Sequence, residues 1–251
     1  MTAHPRDASL EPGFILHTRA YRDTSLLLEV LGRSHGRVGL VARGARGRKS
    51  RMTGLLQPFQ PLALSWRSRG EMGALREAEP AGRPFALRGR RLVSGLYANE
   101  LLLRLLGRED PHPGLFEHYL HLLESLAEAV SEAVALRGFE RDLLGLLGYG
   151  LPLTRDTEDN PLVPAQWYRY DPARGAMPVA GPGTTGLVVS GETLLGLAEP
   201  EMTESTARAS RDLMRAALQP HIGHRPLKTR ELYSRYTARG DPDHGPSSGQ
   251  S

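Results

Sequence analysis

Seven cations crowd the stretch from Arg33 to Arg51: Arg33, Arg37, Arg43, Arg46, Arg48, Lys49 and Arg51, with no acidic residue among them. The second half of the stretch, Gly44-Ala-Arg-Gly-Arg-Lys-Ser-Arg51, is punctuated by glycine. Guanidinium groups offer forked donors that match phosphate oxygens, and glycine lets the backbone approach a phosphodiester closely. This is chemistry for holding a nucleic-acid backbone without reading bases, and the plainer alternative is a solvated basic loop. The stretch contains Lys49-Ser50 but lacks the G-x4-G-K spacing of a nucleotide-binding P-loop. Phe14, Tyr21, Phe59 and Trp66 are the aromatic candidates for stacking on bases. With aromatics at 6% of the chain, core positions suit them better.

Other chemistries find little support. Cysteine is absent, which excludes disulfides, thiolate nucleophiles, thiolate zinc sites and cysteine-held iron–sulfur clusters. His118 and His121 stand three apart on a helical pattern near Glu117 and Glu124, but there is no His-Glu-x-x-His. A nucleophile elbow and a dinucleotide fingerprint are also missing. The expectation is a protein without catalytic residues, metal or cofactor. A metal-dependent nuclease is the rival reading from another class.

The elements that must position the basic stretch come in two styles. Short β-like runs at 14–20, 25–31, 37–42, 61–66 and 72–78 are separated by Gly, Pro and charged turns. Five such runs fit an OB-fold barrel, although an SH3-like barrel would look much the same. Beyond Pro84 the period changes to about 3.6, with Leu92, Leu96, Leu101, Leu103 and Leu106 along one helix. Helical patterns continue at 113–129 and 131–147 and return at 190–197, 203–219 and 226–239. The fold class expected is therefore α+β and multi-domain: an N-terminal five-stranded OB-fold β-barrel and a mainly α-helical C-terminal domain. The boundaries predicted are 1–80 for the barrel, 81–240 for the helical domain with an irregular insertion at about 152–188, and 241–251 for a disordered tail.

Charge is distributed unevenly along the chain. Residues 1–100 carry 17 Lys+Arg against 8 Asp+Glu, a balance of +9, whereas residues 101–220 carry 10 against 17, a balance of −7. A basic N-terminal surface is what a polyanion would use. The densest apolar stretch, 100–106, is interrupted by Arg104 and falls far below the roughly 20 residues that span a bilayer. With no apolar segment of the secretory kind at the N-terminus, a cytoplasmic location is expected.

Several ordered segments resemble the RecO family. They are Gly13-Phe-Ile-Leu-His-Thr-Arg-Ala-Tyr-Arg-Asp-Thr-Ser-Leu-Leu-Leu28, Gly36-Arg-Val-Gly-Leu-Val-Ala-Arg-Gly-Ala-Arg46, Leu56-Gln-Pro-Phe59, Ser94-Gly-Leu-Tyr-Ala-Asn-Glu-Leu-Leu102, the Leu-Gly-Tyr-Gly150 end of 139–150, and Pro226-Leu-Lys-Thr-Arg-Glu-Leu232. The resemblance covers roughly 13–239. It implies a mediator of recombinational DNA repair, associated with the nucleoid, that binds single- and double-stranded DNA and anneals complementary strands. It also implies help in loading RecA onto strands coated by single-stranded DNA-binding protein (SSB), with RecR and the acidic C-terminal tail of SSB as partners. An RNA-binding barrel protein without a recombination role is the alternative. Some family members carry a four-cysteine zinc module where this chain has 154–180, so no zinc module is expected here.

Carried over residue by residue, the tail-docking role falls on the 131–147 helix, where Arg137 precedes Phe139, and Leu143 and Leu147 repeat at i+4. An ordinary core-facing helix would show the same leucines. Lys228 and Arg230 either extend the basic DNA track or form salt bridges with the acidic middle segment.

Overall fold

The computed structural model describes residues 10–47, 50, 52, 54–68, 72–128, 130–223 and 225–238, so the tail expected at 241–251 lies outside them. The first strands are β1 (Glu11–Tyr21), β2 (Ser25–Gly32), β3 (Gly36–Ala42), β4 (Pro61–Arg67) and β5 (Gly73–Pro80). They close into a barrel in the order β1-β2-β3-β5-β4, with β1 pairing back onto β4. Only β3 and β5 run parallel; the other neighbours are antiparallel. This is OB-fold topology, as the five short runs implied. Alternation along the strands sends Ile15, Leu28, Val30, Leu40, Leu62 and Leu64 into the interior. Each such leucine contributes about 2 kcal/mol of burial.

The helices are α1 (Gly89–Leu105), α2 (Leu115–Ala127), α3 (Glu132–Leu146), α4 (Gly191–Ala198), α5 (Glu204–Ala209), α6 (Arg211–Ile222) and α7 (Lys228–Ala238). In α1 the buried stripe is Val93, Gly95, Ala98, Leu101 and Leu102, and Leu92 is exposed instead of inward. Gly95 explains this orientation. A Cβ there would sit 2.9 Å from the Phe59 ring, so the glycine admits that ring against the helix. The single helix expected at 203–219 is two, because buried Ser210 ends α5 and starts α6.

Two compact units emerge. One is Met1–Phe116 with Pro226–Ser251, so α1 and α7 belong with the barrel; the other is Glu117–Arg225. The first unit carries 23 Lys+Arg against 13 Asp+Glu, a balance of +10, and the second carries 9 against 15, a balance of −6.

Within the first unit, two carboxylates act as clamps. Glu29 on β2 accepts from Arg37 Nε at 2.8 Å and from Arg108 Nη2. Arg37 Nη1 also donates to the carbonyls of Leu103, at 2.7 Å, and Leu106, at 3.0 Å, which ties the end of α1 to the sheet. Gly39, opposite Glu29, makes room: a Cβ there would lie 2.6 Å from Met72 Sδ and 3.1 Å from Arg108 Cζ. Glu100 on α1 accepts from the backbone N–H of Lys228 at 2.9 Å and of Thr229 at 3.0 Å, and from Thr229 Oγ1 at 2.8 Å. It thereby caps the otherwise unpaired N–H groups that begin α7. Burial pushes both carboxyls up. The hydrogen bonds outweigh it, those of Arg108 and Arg37 on Glu29 and those of Thr229 and Lys228 on Glu100, and hold both below the usual carboxylate range.

In the second unit, the segment expected to be an irregular insertion contains a small antiparallel sheet. Its strands β6 (Trp167–Asp171), β7 (Gly175–Val179) and β8 (Val188–Ser190) lie in the order β7-β6-β8. Buried Tyr168 accepts the Val163 N–H at 2.9 Å through its hydroxyl, and buried Tyr170 donates to the Pro152 carbonyl at 3.2 Å. Burial raises the Tyr170 hydroxyl well above the ordinary tyrosine range. These two hydroxyl hydrogen bonds help to hold the segment. Among the described residues no group of three or more His, Cys, Asp or Glu is placed to hold a metal ion.

Two outcomes follow. A depressed carboxylate contributes stability that is complete above its unfolded value, about 4.3, and is lost as pH falls through its folded value. Acid titration of unfolding should therefore show Glu29→Gln and Glu100→Gln each costing about 1–3 kcal/mol at pH 7, with the difference from the parent shrinking as pH falls below about 4.3. A chelator should leave the melting temperature unchanged, because 152–188 is held by packing and hydrogen bonds; a fall of several degrees would contradict this.

Candidate nucleic-acid interface

The seven cations, continuous in sequence, are divided by β3. Arg33 and Arg37 stand at its start and Arg43 and Arg46 past its end. Seven residues at about 3.3 Å each put the two groups roughly 20 Å apart. Arg33 is exposed, and its guanidinium lies 4.8 Å from the centre of the Phe116 ring. Arg37 is a correction to the sequence reading. Its guanidinium is occupied by Glu29 and two helix carbonyls and only 17% of its side chain is exposed, so it is a structural cation and not a phosphate contact.

The far end of β3 has the geometry the sequence pointed to. Gly44 adopts φ +69, the left-handed region, with nothing within 4 Å of a would-be Cβ. This turn drives Ala45 into the barrel core, where it is 2% exposed, while Arg43 and Arg46 on either side remain in solvent. The loop is also tied to the β1–β2 turn. Arg46 N–H donates to the Thr24 carbonyl at 2.8 Å and Arg46 Nη1 to the Arg22 carbonyl at 3.4 Å. Arg22 itself sits in the left-handed region at φ 50, with its guanidinium 5.2 Å from the Tyr21 ring centre. Arg22, Arg43 and Arg46 thus project from two turns pinned to each other. Their fixed presentation lowers the entropy cost of meeting a phosphate backbone. Arg48, Lys49 and Arg51 lie outside the described residues.

Arg22 and its neighbour Arg19, exposed on β1, escaped the sequence reading because they precede the basic stretch by a whole hairpin. The signal was the turn Tyr21-Arg-Asp-Thr-Ser25 between two β-like runs, whose pairing returns the chain beside the loop. Of the stacking candidates, Phe14 and Phe59 are core and Trp66 packs against the barrel interior; Tyr21 is half-buried near the loop.

Lys228 and Arg230 are exposed on the first turn of α7, in the basic unit. Glu100 meets this turn through the backbone N–H groups of Lys228 and Thr229 and the Thr229 hydroxyl.

On α3 the inward stripe is Leu136, Arg137, Phe139, Glu140, Leu143 and Leu144. Leu143 is fully buried, so its expected place in a surface groove is corrected: it is a core residue. Arg137 is 9% exposed, pairs with buried Glu140 at 2.8 Å and donates to the Arg211 carbonyl at 3.5 Å, while its Nε has no acceptor. Leu147 is half-buried at the helix end. His118 pairs with Asp142 at 3.1 Å and not with a second histidine.

Comparison with known proteins agrees with this architecture. Residues 8–83 match the family model described as recombination protein O N terminal, and residues 87–231 the model described as recombination protein O C terminal. The chain is 47% identical over 226 residues to the DNA repair protein RecO of Coxiella burnetii (strain RSA 493 / Nine Mile phase I), covering 89% of this chain and 97% of that one. It is 45% identical over 227 residues to the DNA repair protein RecO of Halorhodospira halophila (strain DSM 244 / SL1), with coverages of 89% and 95%. With the corresponding protein of Burkholderia pseudomallei (strain 1710b) it shares 42% over 224 residues, with coverages of 88% and 82%. On matches that span both the barrel and the helical region, the chain belongs to the RecO family of DNA repair proteins.

Proposed function

We propose that this protein is a non-enzymatic mediator of recombinational repair. It holds single- and double-stranded DNA by the backbone, anneals complementary strands, and assists RecA loading on SSB-coated single strands. The observation that supports this reading is the pair of mutually pinned turns that present Arg22, Arg43 and Arg46 from a unit of charge +10. Exposed guanidinia without a fixed acidic partner attract phosphates through charge and counterion release, which is indifferent to sequence. Such contacts suit annealing, in which two strands of any sequence must be brought together with their bases left available. Lys228 and Arg230, exposed in the same unit, extend the backbone track. An RNA-binding role is not favoured, because the family is one of DNA repair proteins.

The partners in this reading are RecR and the acidic tail of SSB, with RecA engaged indirectly. The tail docks on α3 beside half-buried Leu147; Arg137, expected as its cation, is buried against Glu140 and is a structural residue in this fold. The protein works in the cytoplasm, at the nucleoid; no helix among the described residues is long and apolar enough to cross a membrane.

Annealing of SSB-coated complementary oligonucleotides is the test. The parent should accelerate it, and the double variant Arg43→Ala, Arg46→Ala should lose most of that acceleration while its unfolding free energy changes by less than about 0.5 kcal/mol. With about six phosphate contacts, affinity should fall roughly a thousandfold between 50 and 200 mM salt. An affinity insensitive to salt, or a parent without annealing activity, contradicts the proposal.

A further inference from the structure

In the second unit, a groove of about 480 Å³ lies between the end of α3 and the chain that follows it. This volume is in the range of ligand-binding clefts. Arg141, Asp142, Gly145 and Leu146 form the helix side and the segment 150–154 the other, with His118 of α2 and Ala198 of α4 completing the lining. Gly145 leaves the space open, since a Cβ there would meet nothing within 4 Å. Leu146, Leu151 and Ala198 are half-buried and Leu153 is buried, so the lining is largely apolar.

The segment 150–153 belongs to neither helix nor strand. Leu151 precedes Pro152, which steers it to extended backbone. Among the described residues, no group donates to or accepts from the backbone of Gly150, Leu151 or Leu153. Pro152 alone is engaged, through the carbonyl that accepts from the Tyr170 hydroxyl. These residues thus offer N–H and C=O groups along one wall of an apolar groove, the arrangement by which strand addition captures an extended chain.

Charge narrows the choice of occupant. Arg141 Nε donates to Asp142 at 2.8 Å, and its Nη1 donates to the carbonyls of Leu197 at 3.1 Å and Glu199 at 2.6 Å. His118 Nδ1 lies 3.1 Å from the other carboxylate oxygen of Asp142. Arg141 and Asp142 cancel, and exposed Glu199 adjoins Ala198, so an incoming carboxylate would meet no excess of positive charge in a unit of −6.

We infer that this groove docks a partner protein through an extended, apolar segment without acidic side chains, paired to the backbone of 150–153. The site is in a different unit from the pinned turns, and the inference goes beyond the proposed function without resting on it. Its occupant also differs in charge from the acidic tail placed on α3.

Selection of random short peptides displayed on phage against the full chain, followed by titration of the enriched sequences as synthetic peptides, tests this. Peptides with apolar residues at alternate positions and without Asp or Glu should be enriched. Gly145→Leu, which fills open space on a helix, should weaken their binding at least about tenfold without lowering the melting temperature or the affinity for DNA. N-methylation of alternate backbone amides in the peptide, with the protein untouched, should cost about as much, because it removes the strand-pairing hydrogen bonds. No enrichment, enrichment of acidic peptides, or binding that survives either change overturns the inference. Self-association of the full chain that Gly145→Leu abolishes would give the groove to a second copy and overturn it as well.

Discussion

Glu29 sits partly out of water between two guanidinia, and this fixes where the positive charge of the basic unit can go. A carboxylate with 18% side-chain exposure persists only if its lone pairs are satisfied, and Arg37 and Arg108 satisfy them from opposite sides of the connection between barrel and helix. The clamp uses up these two arginines and ties the sheet to its helix, while Arg22, Arg43 and Arg46 stay exposed. Gly39 is the smaller half of the same constraint, since any side chain there would displace Arg108 or Met72.

The same economy recurs at the barrel end. Ala45 anchors the loop by burial and Arg46 anchors it by its backbone N–H, so neither anchor consumes the Arg43 side chain. Glu100 likewise uses its carboxylate on the backbone of α7 and leaves the Lys228 ammonium outward. Glu29 and Glu100 in this unit go into fixing elements, whereas Arg22, Arg43 and Arg46 are displayed. The second unit, at −6, is built the other way, with Arg137 buried against Glu140 and Arg141 held by the carbonyls of Leu197 and Glu199.

Much of this was legible in the sequence, because the signals were local. Period-two runs broken by turns gave the five strands, and the change of period after Pro84 gave the helices. What escaped depended on pairing across distance. Arg37 read as one more loop cation because the loss of its charge to Glu29 is a cross-strand event. Arg22 read as unrelated to the basic stretch because only hairpin register brings it there. Leu143 and Leu147 share one spacing, yet one is core and the other half-exposed, and the side of α3 that faces inward is set by what packs on it. The sheet at 167–190 was hidden because its strands are three to five residues long and separated by glycine-rich turns.

DNA held at the two pinned turns of the basic unit should leave its mark on amide hydrogen exchange measured with and without a single-stranded oligonucleotide. Protection should appear at 22–24 and 43–47 and be absent from most of 117–225. Protection confined to the second unit, with both turns exchanging as fast as in the unbound protein, would contradict the account.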